Sequence, residues 1–133
     1  DHRRTEGPVW IPTTGATAEA EIGADGVVRV RLDAGDVLDE VVLRSYATGA
    51  AHMALSWLSS EGIAVDAEGN VHDLTIRSFG VLRAVDTPPI QIELVQGAGP
   101  AVRGSDAVFV AVAAAAWLHV GCQTDWPTGA RWR

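Results

Sequence analysis

The residue types best placed to do chemistry gather at Gly104-Ser105-Asp106, a polar turn that runs straight into the apolar stretch Ala107 to Leu118. A turn opening a helix in this way presents unpaired backbone N–H groups at the positive end of the helix dipole, where an anion or acidic group is held favourably. The question is whether Ser105 or Asp106 also acts on a substrate. A serine needs an adjacent base before it can attack or accept a proton, and no neighbouring residue is an obvious activator. Both residue types are also preferred helix N-caps, worth about 1 kcal/mol. The turn therefore reads first as a cap and second as a catalytic pair.

Other candidates are weaker. His119 and Cys122 stand three residues apart, but zinc takes four ligands and the sequence offers no partners, so no metal site is expected. Glu19 and Glu21 fall on one side of a strand and are expected to pair with Arg29 and Arg31 across a hairpin. His2, His52 and His72 are isolated along the chain and are expected to be exposed. No phosphate-binding glycine motif is present.

These residues need elements to hold them. Residues 1–16, with Gly7, Pro8 and Pro12, read as an irregular arm. Thr17 to Ile22 and Val27 to Leu32 flank Gly23-Ala24-Asp25-Gly26, and Val28, Val30 and Leu32 alternate with Arg29 and Arg31, which predicts a β-hairpin. From Val41, the residues Leu43, Tyr46, Ala47, Ala50, Met53, Ala54, Trp57 and Leu58 recur at helical steps, with Asp36 or Asp39 as the cap and Glu61-Gly62 as the stop. This pattern puts Tyr46, Met53 and Trp57 on the core face. Asp66 to Asn70 predicts a second, short hairpin, and residues 73–86 read as loop with some extended structure. Thr87-Pro88-Pro89 leads into a strand over 90–95, and a last helix begins at Ser105 or Asp106 and stops at Gly121. The tail, 122–133, is irregular and must dock onto something.

The sum is an α+β fold of short antiparallel strands and hairpins packed with two main helices, with residues 17–121 as its single domain. At 133 residues, 47% of them hydrophobic, the chain can build one core but not two. Its net charge of −7, with every basic residue a scattered arginine, argues against a nucleic-acid partner. The longest apolar run falls well short of the roughly 20 residues a membrane-spanning helix needs. With no leader-like segment at the start of the sequence, a cytoplasmic location is expected. Cys122, the one cysteine, has no internal disulfide partner and cannot hold an iron–sulfur cluster alone.

Several segments in order carry a resemblance: Asp33-x-Gly35, a helix with Gly49, Asp66-Ala-Glu-Gly-Asn-Val71, Pro88-Pro89-Ile-x-Ile-Glu-Leu-Val95 and Gly104-x-x-x-x-Phe109 before an alanine-rich helix. Together, over about residues 15–121, they resemble the C-terminal part of the large, molybdopterin-binding subunit of xanthine oxidase-type molybdenum hydroxylases. The resemblance implies hydroxylation of an aldehyde or N-heterocycle with oxygen derived from water. It places the molybdopterin-type cofactor mainly on a larger partner chain, with iron–sulfur clusters and FAD, if present, on other, electron-transferring subunits. It also assigns Tyr46, Gly49 and Gly104 to cofactor contact and Ser105 and Asp106 to the catalytic position.

The departures from the family pattern matter as much. Where the family has a Gln-x-Glu-Gly-type segment whose glutamine bonds the pterin, this chain reads Tyr46-Ala47-Thr48-Gly49. Where the family has Gly-Glu-Pro-Pro, whose glutamate is the catalytic base, it reads Gly104-Ser105-Asp106-Ala107, so the glutamate position falls on Ser105. Two functions remain open: a small subunit or C-terminal piece completing the molybdenum-cofactor domain of a multi-subunit hydroxylase, or a degenerate, non-catalytic module of the same fold used for assembly or small-ligand binding.

Overall fold

Alternation of apolar and charged residues divides the sheet into a covered and an open face. A computed structural model of the chain describes residues 8–72 and 75–133. Its strands β1 (Val9–Trp10), β2 (Thr17–Ile22) and β3 (Val28–Asp33) are joined by β6 (Ile90–Val95) in the order β1-β2-β3-β6. A separate two-stranded hairpin is formed by β4 (Ala64–Val65) and β5 (Val71–His72). Ala18, Ala20, Ile22, Val28, Val30, Leu32 and Ile92 are buried on the covered face. On the open face Glu19 sits opposite Arg31 and Glu21 opposite Arg29, the register expected from the sequence. Arg29 makes its short ion pair with Asp25, at 2.7 Å, and Arg31 reaches Glu93 at 3.6 Å.

The fold is α+β, and one pairing differs from the antiparallel pattern. β6 runs parallel to β3, because the chain between them crosses over through a long helix instead of turning back. Part of the expected irregular arm is ordered into the sheet, since Val9–Trp10 pairs with Thr17 and Ala18. The first seven residues, with His2, and residues 73–74 lie outside the described residues. Within the expected loop at 75–86, Ala84–Asp86 forms a short 3-10 turn.

Two helices, α1 (Glu40–Ser59) and α2 (Ser105–His119), pack on each other and over the sheet. Asp39 caps α1, its Oδ1 accepting the Val42 N–H at 3.1 Å. The buried face of α1 corrects the sequence reading. Ala47, Ala50, Ala54 and Leu58 are buried as expected, but Tyr46, Met53 and Trp57 are exposed, and Ala51 and Leu55 take their place in the core. The cause is the partner helix: α2 offers Ala107, Ala111 and Ala115. Two alanine ridges bring the helix axes too close for large rings, so α1 is rolled to turn those outward.

The tail docks, as its composition requires. Thr128 and Gly129 donate their N–H groups to Leu58 O and Ser59 O, both at 2.9 Å, which satisfies the last carbonyls of α1. Trp126 packs edge-on against Trp57 with ring centroids 4.6 Å apart. Gly121, at φ +82°, closes α2 with a bond to Leu118 O at 3.2 Å. Neither remaining histidine is isolated: His52 Nε2 lies 2.8 Å from Leu82 O, and His72 Nε2 lies 2.6 Å from Asp66 Oδ2. No helix among the described residues is long and apolar enough to cross a membrane.

The β2–β3 turn has a pH signature. The Arg29 guanidinium, then the Val27 N–H, hold the Asp25 carboxyl below its ordinary 3.8, at about 2. Because the folded value is depressed, the contribution of this turn is complete above pH 3.8 and is lost as pH falls through 2. Protection of the amides at residues 23–28, taken as exchange relative to the intrinsic rate at each pH, is expected to fall over that window, and Asp25→Asn is expected to abolish that fall.

Candidate functional site

Parallel strands end side by side, so the loops leaving the carboxyl ends of β3 and β6 meet. Val102 N–H donates to Ala34 O at 3.0 Å, Asp36 N–H to Gly99 O at 3.1 Å and Gly97 N–H to Gly35 O at 3.1 Å. Gly35 makes the tight turn possible at φ +75°, and its N–H is held by Asp33 Oδ1 at 3.0 Å. Beyond this stitched pair of loops, between them and the first half of α1, lies a groove of about 580 Å³. Leu32, Ala34, Leu43, Ala47 and Val102 make its apolar wall, and Asp36, Asp39, Tyr46, Arg103 and Ser105 supply polar groups.

The groove brings together residues far apart in sequence. Tyr46, from α1, and Gly104 and Ser105, from the start of α2, line it together. Asp106 is exposed and lies outside the lining, and so does Gly49, one turn beyond Tyr46 on α1. Gly104 is buried, and a Cβ there would stand 2.9 Å from Leu32 Cδ2 and 3.2 Å from Ala34 Cβ. The glycine lets α2 start directly on β3. Gly49 has no such role, since no atom lies within 4 Å of an added Cβ.

Gly104 is itself the N-cap of α2, without a side-chain cap bond, which corrects the expectation that Ser105 or Asp106 caps the helix. Ser105 is the first helical residue and Asp106 the second. A Cβ at Gly104 would crowd Leu32 and Ala34, which favours glycine at the cap. The helix N-terminus thus faces the groove with the positive end of its dipole. The two acids of the lining are already engaged: Asp36 Oδ1 accepts Gln96 Nε2 at 2.7 Å, and Asp39 caps α1. Arg103 has no ion pair among the described residues. The groove can therefore take an apolar or planar group along its wall and a negative charge near Arg103 and Ser105. Its lining holds no glutamate, and each of its two aspartates already accepts one hydrogen bond through Oδ1. Among the described residues, no group of three or more histidines, cysteines, aspartates or glutamates is placed to hold a metal ion.

Sequence reasoning missed Leu38, Val42 and Arg103, which also line the groove. The glycines at 35, 97 and 99 were the available signal, since they mark where two loops must approach each other closely.

No protein-family model matches the chain, and no curated protein matches it in sequence. Solved structures do share its architecture. Quinoline 2-oxidoreductase from Pseudomonas putida 86 matches 79% of this chain at a TM-score of 0.57 and 19% identity. The Cu,Mo-CO dehydrogenase in its carbon monoxide-reduced state matches 80% at 0.54 and 17% identity. The reconstituted CO dehydrogenase from Oligotropha carboxidovorans matches 80% at 0.56 and 16% identity. The chain has the fold of a segment of these enzymes. It spans 16% of the length of each matched chain. At the level of fold, this agrees with the resemblance drawn from the sequence.

Proposed function

We propose that this chain is a molybdenum-hydroxylase-type module that forms one wall of a cofactor or substrate site and completes it together with a larger molybdopterin-binding chain. The observation that carries the reading is the groove, where Tyr46, Gly104 and Ser105, the positions matching the family's cofactor and base segments, share one lining. Its volume lies within the range of about 300–1,000 Å³ common to ligand sites.

The donor set fits part of a molybdopterin-type group. The backbone N–H groups at the start of α2 and the Arg103 guanidinium suit its anionic end, while Tyr46 and Leu43 suit its ring system. Such a group, when bound, supplies oxidative hydroxylation of an aldehyde or N-heterocycle with oxygen from water. This chain's own residues bind and orient. Ser105 has no base beside it, and Asp106 stands outside the groove, so neither takes a proton from the reacting centre. The base, the iron–sulfur clusters and any flavin belong to the partner chains in this reading. The missing carboxylate also favours the second reading, a non-catalytic module that keeps the fold for assembly.

The test is co-purification of the chain with a molybdenum-containing larger chain, followed by metal analysis and turnover of the assembly. Ser105→Ala and Asp106→Ala are expected to leave turnover within about twofold, whereas Arg103→Glu is expected to lower molybdenum content severalfold. Absence of any molybdenum-containing partner would sink the first reading and leave the second. A loss of turnover of a hundredfold or more in Ser105→Ala, with metal retained, would show that the turn is catalytic after all.

A further inference from the structure

β6 stands at one end of the sheet order, so its pairing with β3 uses one of its two edges. In a parallel ladder, alternate residues of a strand turn their N–H and C=O groups to the same neighbour. Val28 pairs with Ile90, and its N–H donates to Pro89 O at 2.9 Å. Gln91, Glu93 and Val95 therefore bond to β3, and Ile90, Ile92 and Leu94 turn their backbone groups away from it. Such a row is a template for another strand. The segment itself, Ile-Gln-Ile-Glu-Leu-Val, has six residues, one charge and neither proline nor glycine, which is the composition that pairs with copies of itself.

Arg44 sits on that row. From α1 it reaches the edge, where its Nη1 donates to Ile92 O, at the middle residue of the three. Its Nη2 donates to Glu40 Oε1 at 2.8 Å, which holds the guanidinium in place. Among the described residues, no other hydrogen bond reaches the outward groups of Ile90, Ile92 and Leu94. Arg44 is not part of the groove lining, so the groove gives no reason for its position. A charged side chain laid on an edge is one of the ways in which proteins keep sheets from joining.

We propose that Arg44 guards the edge of β6 and keeps it from pairing, strand to strand, with β6 of a second copy of this chain. The register identifies what is excluded. An antiparallel pairing centred on Ile92 matches Ile90 with Leu94 and Gln91 with Glu93, so all three outward residues exchange hydrogen bonds and no two glutamates meet. A pairing centred on Glu93 would set the two glutamates against each other, which is unfavourable. With Arg44 in place, the favourable register makes both guanidiniums leave Ile92 O and approach each other at the two-fold axis. Like charges then oppose the contact. The inference rests on β6 and α1 and is independent of the molybdenum reading.

Sedimentation equilibrium of the whole chain over a wide concentration range tests it, with circular dichroism as the check that each variant folds. Arg44→Ala is expected to raise the self-association constant at least tenfold and give a dimer, because neither copy then gives up a charge-assisted bond. Arg44→Met keeps the stem without the donors and is expected to dimerise as well, which supplies the answer if the alanine variant does not fold. In either dimer the amides of Ile90, Ile92 and Leu94 are expected to gain protection from hydrogen exchange. Adding Leu94→Pro to either variant is expected to restore the monomer, since it removes one outward N–H at an edge position where proline is tolerated. Folded variants that stay monomeric overturn the proposal. So does a dimer that protects none of the three amides or survives Leu94→Pro, or a wild-type chain that already pairs through them.

Discussion

Gly35→Ala is expected to lower the stability of the chain by about 3 kcal/mol. Two costs add. A residue with a Cβ pays roughly 1–2 kcal/mol in the left-handed region, and Gly35 sits at φ +75°. The new Cβ would also drive into the Pro100 carbonyl, which belongs to the backbone and cannot swing aside. A domain of this size is stable by roughly 5–15 kcal/mol, so the loss is a large fraction of the total. Urea denaturation checks it directly. A variant within 0.5 kcal/mol of wild type, on the order of an ordinary surface substitution, would mean that the two loops are not stitched as described. The contrast is Gly49→Ala, where φ is helical and the space is open, so the expected sign is reversed for the monomer.

The second large effect separates two faces of one helix. Leu58→Ala is expected to cost about 3–4 kcal/mol, within the range for truncating a fully buried leucine, because Leu58 is completely enclosed. Trp57→Ala is expected to cost about 1–2 kcal/mol, the loss of aromatic contacts with Phe109 and Trp126. Nearly half of the indole is already in water. The order of the two values, read from denaturant midpoints at unchanged slope, is the decisive result. If Trp57→Ala proves the more damaging, the helix packs by the face its large residues suggested.

That face is where sequence and structure part. Periodicity alone located α1, the hairpin of β2 and β3, β6 and α2, because each carries a regular alternation or a cap that acts over a few residues. It could not decide how α1 is rolled, since its apolar residues cover more than half the circumference. The choice was made by alanines on α2, more than fifty positions away in the chain. Gly104 was legible as part of a turn, but not as the cap itself, because the reason lies in the side chain of Leu32 beneath it. The groove was legible in part. Tyr46 and Gly104–Ser105 were singled out by likeness to a family, whereas their meeting with each other, and with their neighbours Val42 and Arg103, in one groove depends on the parallel pairing of β3 and β6, which no local pattern encodes.

The parallel pairing has a consequence for the order of events in folding. The two sides of the groove come from residues 32–47 and 101–105, and in the folded chain it is the pairing of β6 with β3 that brings them together. Across proteins, contacts this distant in sequence go with slower folding. A half-folded chain with α1 and the first hairpin in place has no groove at all. Whatever binds there recognises only the finished molecule, and by mass action it draws every fold-dependent equilibrium of the chain toward completion.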